Sequence, residues 1–210
     1  MKTLDWYFDV ISPFAYLQME KFDQLPKDLE IVFKPVLFAG LLGHWGHKGP
    51  AEIPEKRKFT YRHSQWLANQ MGIEFKMPAA HPFNPLKGLR LAIACSNYEG
   101  IREIFRYVWK EGHLFDEAEN WQELITRLGM PDADLQIAKP EIKTQLQKNG
   151  EEATARGVFG VPTFVVDQEI FWGLDATRFL LDYLDNPQLF QEGEMARISQ
   201  LPAAQHRQNK

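Results

Sequence analysis

Cysteine is almost missing from this chain. Cys95 is the single one among 210 residues, so no internal disulfide can form and no Cys-x-x-Cys pair exists. That excludes dithiol–disulfide exchange by the chain's own sulfurs and agrees with a reducing compartment. A basic excess is missing too. Lys and Arg number 24 against 28 Asp and Glu, for a net charge of −4, which leaves no electrostatic footprint for nucleic acid. No apolar run approaches the ~18 residues that a membrane helix needs. The opening MKTLDWYF leads straight into a strand pattern without a basic region followed by an apolar one, so no secretory leader is expected. Metal-binding patterns are also wanting. His44 and His47 are three apart, but they sit in a Gly-rich stretch with no H-E-x-x-H. These absences together predict a soluble, cytoplasmic protein with no metal and neither a nucleic-acid nor a membrane partner.

What is present is enough apolar matter, 44% of the residues, for one sizeable core. Residues 3–9 alternate Leu4, Trp6, Phe8 with Asp5, Tyr7, Asp9, which predicts a strand. Residues 13–25 place Phe14, Leu17, Phe22 and Leu25 on one stripe, which predicts a helix ending at Pro26. Residues 30–36 read as a second strand whose Pro35 asks for an edge or a gap in the ladder. A β-α-β start favours parallel pairing with a right-handed crossover. The Gly- and His-rich residues 38–54 read as a long loop, and residues 55–71 as a helix ending at Gly72. From residue 86 to about 157 the pattern is helical throughout. PTFVVD and EIFW then read as two short strands, and ATRFLLDYL as a closing helix. The outline resembles an α/β, thioredoxin-like sheet with an all-helical insertion. Residues 1–40 and 157–190 would form the thioredoxin-like domain, 41–156 the insertion and 191–210 a polar C-terminal tail, frayed from 201 onward.

Three short segments stand out. The first is Ser12-Pro13-Phe14, at the head of the first helix. Ser is a good N-cap, and Pro at the first helical position gives up an N–H that would be unpaired anyway. Yet Ala15 stands where a reciprocal capping box needs Glu or Gln. In thioredoxin-like folds this corner carries a reactive cysteine whose thiolate the helix N-terminus favours. Here a hydroxyl replaces the sulfur, and a hydroxyl can donate to the thiolate of a bound small thiol. The second segment is Phe159-Gly160-Val161-Pro162-Thr163 before the last strand pair, the position of a cis-proline loop. A cis Val161–Pro162 bond would present the Val161 backbone to an extended peptide-like ligand. The third is Trp172-Gly173-Leu174-Asp175, a turn with Asp175 at or near the N-cap of the closing helix. Its carboxylate is read either as a plain cap or as a grip for an ammonium group.

Together FDVISPFAY, FGVPTF and WGLD resemble the 2-hydroxychromene-2-carboxylate isomerase family, a glutathione-dependent branch of the DsbA-like thioredoxin superfamily related to the kappa-class glutathione transferases. The resemblance spans most of residues 3–185. It implies glutathione as cofactor, with Ser12 catalytic and facing the sulfur, and with Pro13 and Phe14 beside it. It implies that Val161, next to Pro162, pairs with the cysteinyl unit, and that Asp175 and the Leu174 backbone hold the γ-glutamyl group. Lys56 matches the family's lysine for the glycyl carboxylate, and His47 stands nearest to its usual Asn. Where relatives often have Asp-Arg this chain has Asp175-Ala176, with Arg178 two residues further on. The resemblance also implies a homodimer, although no interface signature is evident in the sequence.

The implied reaction is a cis–trans isomerisation of an aromatic catabolite through thiolate addition, bond rotation and elimination, a nucleophilic catalysis with a borrowed nucleophile. Lys48, Arg57, Lys58 and Arg62 are the candidate cations for an anionic substrate. A kappa-like glutathione transferase acting on electrophiles is the main alternative, and a non-catalytic thiol- or peptide-binding module the other. Cys95 reads as a packing residue. Of the tryptophans, Trp45 is the one best placed to line a substrate pocket.

Overall fold

The computed structural model describes residues 2–204. The chain runs through β1 (Lys2–Phe8), α1 (Pro13–Met19), β2 (Leu29–Pro35), α2 (Phe38–Trp45) and α3 (Pro54–Met71). Then come α4 (Leu86–Cys95), α5 (Tyr98–Trp109), α6 (Ala118–Arg127), α7 (Ala133–Ala138) and α8 (Pro140–Ala155). It closes with β3 (Thr163–Val166), β4 (Glu169–Trp172), α9 (Thr177–Asp185) and α10 (Gly193–Ile198). The four strands form one sheet in the order β2-β1-β3-β4. β1 runs parallel to β2 and antiparallel to β3, and β4 pairs antiparallel with β3. This is the thioredoxin-like α/β architecture, with a run of helices between its two halves.

The alternation in β1 sorts its side chains between the two faces of the sheet. Leu4, Trp6 and Phe8 enter the larger core under α1 and α5, where Trp6 stacks on Phe8 at 4.4 Å and meets the edge of Phe22 at 4.9 Å. Tyr7 points to the opposite face and joins Val36, Leu41, Ala153, Val158 and Val165, which α2 and α8 cover. Pro35 ends the edge strand β2, where its missing N–H costs the ladder nothing.

Two expected elements differ. The helix expected over residues 13–25 is α1 only to Met19, followed by a single 3-10 turn at Phe22–Gln24. At the C-terminal end of α1 stands Glu20, whose carboxylate receives paired hydrogen bonds from Arg106 (2.8 Å each) and Arg102 (3.2 Å each) on α5. The loop expected over residues 38–54 is largely helix: α2 to Trp45, with Gly46 left-handed at its C-terminal end, then a short 3-10 turn. Residues 193–198, expected within a polar tail, form α10. The frayed end expected from residue 201 lies outside the described residues from 205 onward.

The Glu20 fork is the main ionic tie between α1 and the helical insertion. Burial works against its charge, but the bonds from Arg106 and Arg102 outweigh that and hold the carboxyl below its ordinary range. Glu20→Gln is therefore expected to destabilise the fold by about 1–3 kcal/mol near neutral pH. That corresponds to a melting point lower by about 3–10 °C. A lowered folded-state pKa contributes stability above the unfolded value, lost as the pH falls through the folded one. The difference between variant and wild type in thermal melts is thus expected to shrink in acid.

Candidate active site

The corner between β1 and α1 is built from backbone groups that are almost all spoken for. The Ser12 amide donates to the Asp9 carbonyl at 3.0 Å. Trp109 Nε1 donates to the Val10 carbonyl at 2.8 Å, and His81 Nε2 lies 2.9 Å from the Ile11 carbonyl. A carbonyl only accepts, so that nitrogen carries a proton. Tyr61 fixes the other side of the imidazole, 2.9 Å from Nδ1. At the centre sits Asp9, fully buried. Its Oδ1 accepts the Ile11 amide at 3.0 Å and its Oδ2 the Phe38 amide, the first of α2, at 2.8 Å. Burial pushes the Asp9 carboxyl up to about 7, against the pull of these two amides.

Ser12 is buried at 7% exposure. Its Oγ accepts the Ala15 amide at 3.2 Å, so the cap is real. The cap uses a lone pair only, and the hydroxyl proton finds no acceptor among the described residues. Pro13 has no N–H, and the amides of Ala15 and Tyr16 are bound to Ser12. That leaves the Phe14 amide and the Ser12 hydroxyl as the two donors of residues 12–16 without a partner among the described residues.

The second and third segments are tied to each other. Val161–Pro162 is a cis bond. The Gly160 carbonyl accepts from Thr163 Oγ1 at 2.7 Å, and the Pro162 carbonyl from the Gly173 amide at 2.8 Å. Neither the N–H nor the carbonyl of Val161, between them, has a partner among the described residues. A Cβ at Gly160 would collide with the indole of Trp172, which lies across it and would have to shift. After Trp172 the chain turns through Gly173 into α9, whose N-cap is Ala176. The Asp175 carboxylate is exposed and caps nothing, so the plain capping alternative is not what the structure uses.

A cleft of about 640 Å³ brings Phe14, Val161, Pro162, Leu174 and Asp175 onto one wall system. That volume lies within the range of small-molecule sites, about 300–1,000 Å³. Ser12 and Pro13 lie buried directly behind Phe14 in sequence and do not line it. His47 and Lys56 are exposed, on the segment after α2 and in the first turn of α3, and are not part of this cleft. Trp45 does not line it either. Its Nε1 is spent on the Val158 carbonyl at 2.9 Å, and Trp172 takes the lining position. The facing wall is supplied by His63, Leu67 and Met71 of α3. His63 stands 6.0 Å from Phe14 and stacks against the exposed Trp66. Lys21 and Arg178 line the cleft as well. The four cations named from the sequence, Lys48, Arg57, Lys58 and Arg62, do not. Cys95 is half-buried, away from this site, with its thiol pushed up to about 11 by burial. Sequence reasoning missed Asp9, His63 and Leu67. Asp9 had a readable signal, a carboxylate two residues beyond Tyr7 in the alternating pattern, immediately after the end of β1.

The chain belongs to the DSBA-like thioredoxin domain family, whose model matches residues 3–185. A 2-hydroxychromene-2-carboxylate isomerase of Sphingobium xenophagum is 26% identical to it over 87% of this chain and 98% of that one. Glutathione S-transferase kappa 2 of Caenorhabditis elegans is 24% identical over 89% of this chain and 93% of its own length. A solved structure of 2-hydroxychromene-2-carboxylate isomerase superposes with a TM-score of 0.75 at 23% identity, covering 90% of this chain and 97% of that one.

The raised Asp9 carboxyl sets a pH dependence whose sign is fixed. Between the ordinary carboxylate value of 3.8 and about 7 the folded chain holds a proton that the unfolded chain has lost. Asp9 therefore contributes stability that is complete at low pH and declines as the pH rises to about 7. Thermal melts across this window are expected to give a flatter profile for Asp9→Asn than for the wild type. Because Asn turns an N–H₂ toward one of the two amides, the variant is also expected to melt lower at pH 4.

Proposed function

We propose that this chain is a glutathione-dependent enzyme that isomerises 2-hydroxychromene-2-carboxylate-type aromatic catabolites. One observation carries the reading. At the cleft and directly behind it, three segments leave unspent the groups a γ-glutamyl tripeptide thiol asks for: the hydroxyl proton of the buried Ser12 next to Phe14, the Val161 backbone pair and the Asp175 carboxylate, which caps nothing. The family membership and the isomerase and kappa-transferase relatives support it.

Glutathione, when bound, supplies a thiolate that adds to the conjugated substrate, makes the double bond a rotatable single bond and leaves by elimination. The chain's own part is to hold and charge that sulfur. The Ser12 hydroxyl donates to it while still accepting from Ala15, and the Phe14 amide is the second donor at hand. Charge-assisted bonds of this kind favour the thiolate over the thiol. Val161 pairs as a short strand with the cysteinyl unit. Asp175 attracts the γ-glutamyl ammonium, and the Leu174 and Asp175 amides, without partners among the described residues, face the same group. His47 and Lys56 take the glycyl end. The apolar α3 wall accepts a flat ring, and Lys21 and Arg178 are the cations nearest to hand for an anionic substrate. A kappa-like transferase would use the same thiolate on an electrophile that keeps it, a reading that the relative from Caenorhabditis elegans supports.

Ser12→Ala is expected to cut turnover about 10- to 100-fold, the scale of one hydrogen bond to a charged group. The lost cap should cost only about 1 kcal/mol of stability. Steady-state kinetics beside thermal melts checks this, and retained turnover with a lowered melting point would reduce Ser12 to a cap. Ultraviolet titration of the thiolate is expected to show bound glutathione ionising at lower pH than free glutathione, and less so in the variant. Product analysis then separates the activities. Free glutathione returned with a geometric isomer supports the isomerase, and a stable conjugate supports the transferase. No affinity for glutathione would leave the non-catalytic module.

A further inference from the structure

α1 carries a polar residue where its packing calls for an apolar one. Pro13, Ala15, Tyr16, Leu17 and Met19 are buried, and so is Gln18, at 1% exposure. A primary amide so deep in a core is costly unless its donors and acceptor are met, and here they are met in a particular order. Trp6 Nε1 of β1 donates to Gln18 Oε1 at 2.7 Å. Gln18 Nε2 donates to the Gly173 carbonyl at 3.1 Å and to Thr177 Oγ1 at 3.0 Å. Thr177 Oγ1 passes its own proton to the Leu174 carbonyl at 2.8 Å. The bond from Trp6 fixes which end of the amide is oxygen, so both N–H groups must point at the turn.

The consequence falls on the Gly173–Asp175 turn. Gly173 and Leu174 give their carbonyls inward, to Gln18 and Thr177 Oγ1 and, at 3.3 Å each, to the Ala176 and Thr177 amides, and the Gly173 amide goes to Pro162. What is left without a partner among the described residues is the amides of Leu174 and Asp175 and the carbonyl and side chain of Asp175. We infer that Gln18 is a positioning residue for the thiol ligand: directly at Gly173 and through Thr177 at Leu174 it holds two carbonyls of the turn inward, so that the Leu174 and Asp175 amides and the Asp175 carboxylate are free for the ligand. This rests on the glutathione reading above. It assigns to Gln18 the affinity for the γ-glutamyl end and leaves the acidity of the sulfur to the Ser12 corner.

Gln18→Glu tests it, because a carboxylate still accepts from Trp6 but cannot donate to Gly173 or Thr177. Titration calorimetry with reduced glutathione is expected to show a dissociation constant raised about tenfold, the scale of one net hydrogen bond. KM for glutathione should rise in step, with kcat at saturation and the ionisation of the bound thiol held at wild-type values. Thr177→Val removes the other end of the relay without placing a carboxylate in the core, and a similar rise is expected. Wild-type affinity in both variants overturns the inference while the glutathione reading stands. A fall in kcat with KM unchanged also overturns it, since that would put Gln18 on the chemistry of the sulfur. No binding by the wild type overturns both.

Discussion

A carboxylate with no exposure to solvent organises the site. Asp9 takes the Ile11 amide with one oxygen and the Phe38 amide with the other, so a single side chain ties the corner before α1 to the first turn of α2. The arrangement is expensive, because burial disfavours the charge even with two donors in place. What it supplies is definition. With Asp9 below, Trp109 on the Val10 carbonyl and His81 on the Ile11 carbonyl, the loop that ends at Ser12 has little freedom to relax. A hydroxyl on such a loop can be placed to the fraction of an ångström that a hydrogen bond to a sulfur anion demands.

That same carboxylate explains where sequence reading stopped short. α2 has Leu37 at its N-cap, a residue with no capping group, and Gly40 and Gly43 in its body. Local propensity argues for a loop there. The missing cap comes from Asp9, 29 residues upstream in the chain, and the apolar Phe38, Leu41 and Leu42 supply the packing. α1 was misjudged in the opposite sense. Its apolar stripe continues to Leu25, but Glu20 is held by two arginines of α5, and the chain turns there. Both errors are failures of local rules before long-range hydrogen bonds. The elements set by period and punctuation alone were legible: the alternation of β1, Gly72 after α3, and the β3–β4 pair.

The site divides in the same way. Its protruding parts were readable because short-range chemistry marks them: a Ser-Pro at a helix head, a Val-Pro before a strand, a Gly-Leu-Asp turn. Its supports were not. Asp9, His81 and Gln18 act through partners tens of residues away, or, for Gln18, more than 150. A lone buried Gln in a seven-residue helix carries no local signature of the turn it will meet. Ser12 shows how two readings can both hold. An oxygen that accepts from Ala15 has a lone pair committed and a proton still to give, so capping and ligand binding do not compete.

The walls of the cleft have different origins in the chain. Phe14, Val161, Leu174 and Asp175 come from the segments that follow β1, precede β3 and follow β4, where the ladder and the bonds of Gln18 and Gly173 fix them relative to one another, with Ser12 buried beside Phe14. His63, Leu67 and Met71 belong to α3, in the helical run between the two halves of the sheet. The proposed binding and ionisation of a thiol asks for rigid polar geometry, and the strand ends have it. Choosing what that thiol attacks asks for a surface of suitable shape and apolarity, and a helix face can change those by substitution without disturbing a hydrogen bond of the first group. In this chain that face is lined by an imidazole between Phe14 and Trp66, so on the proposed reading the α3 wall offers a planar partner a surface to stack against.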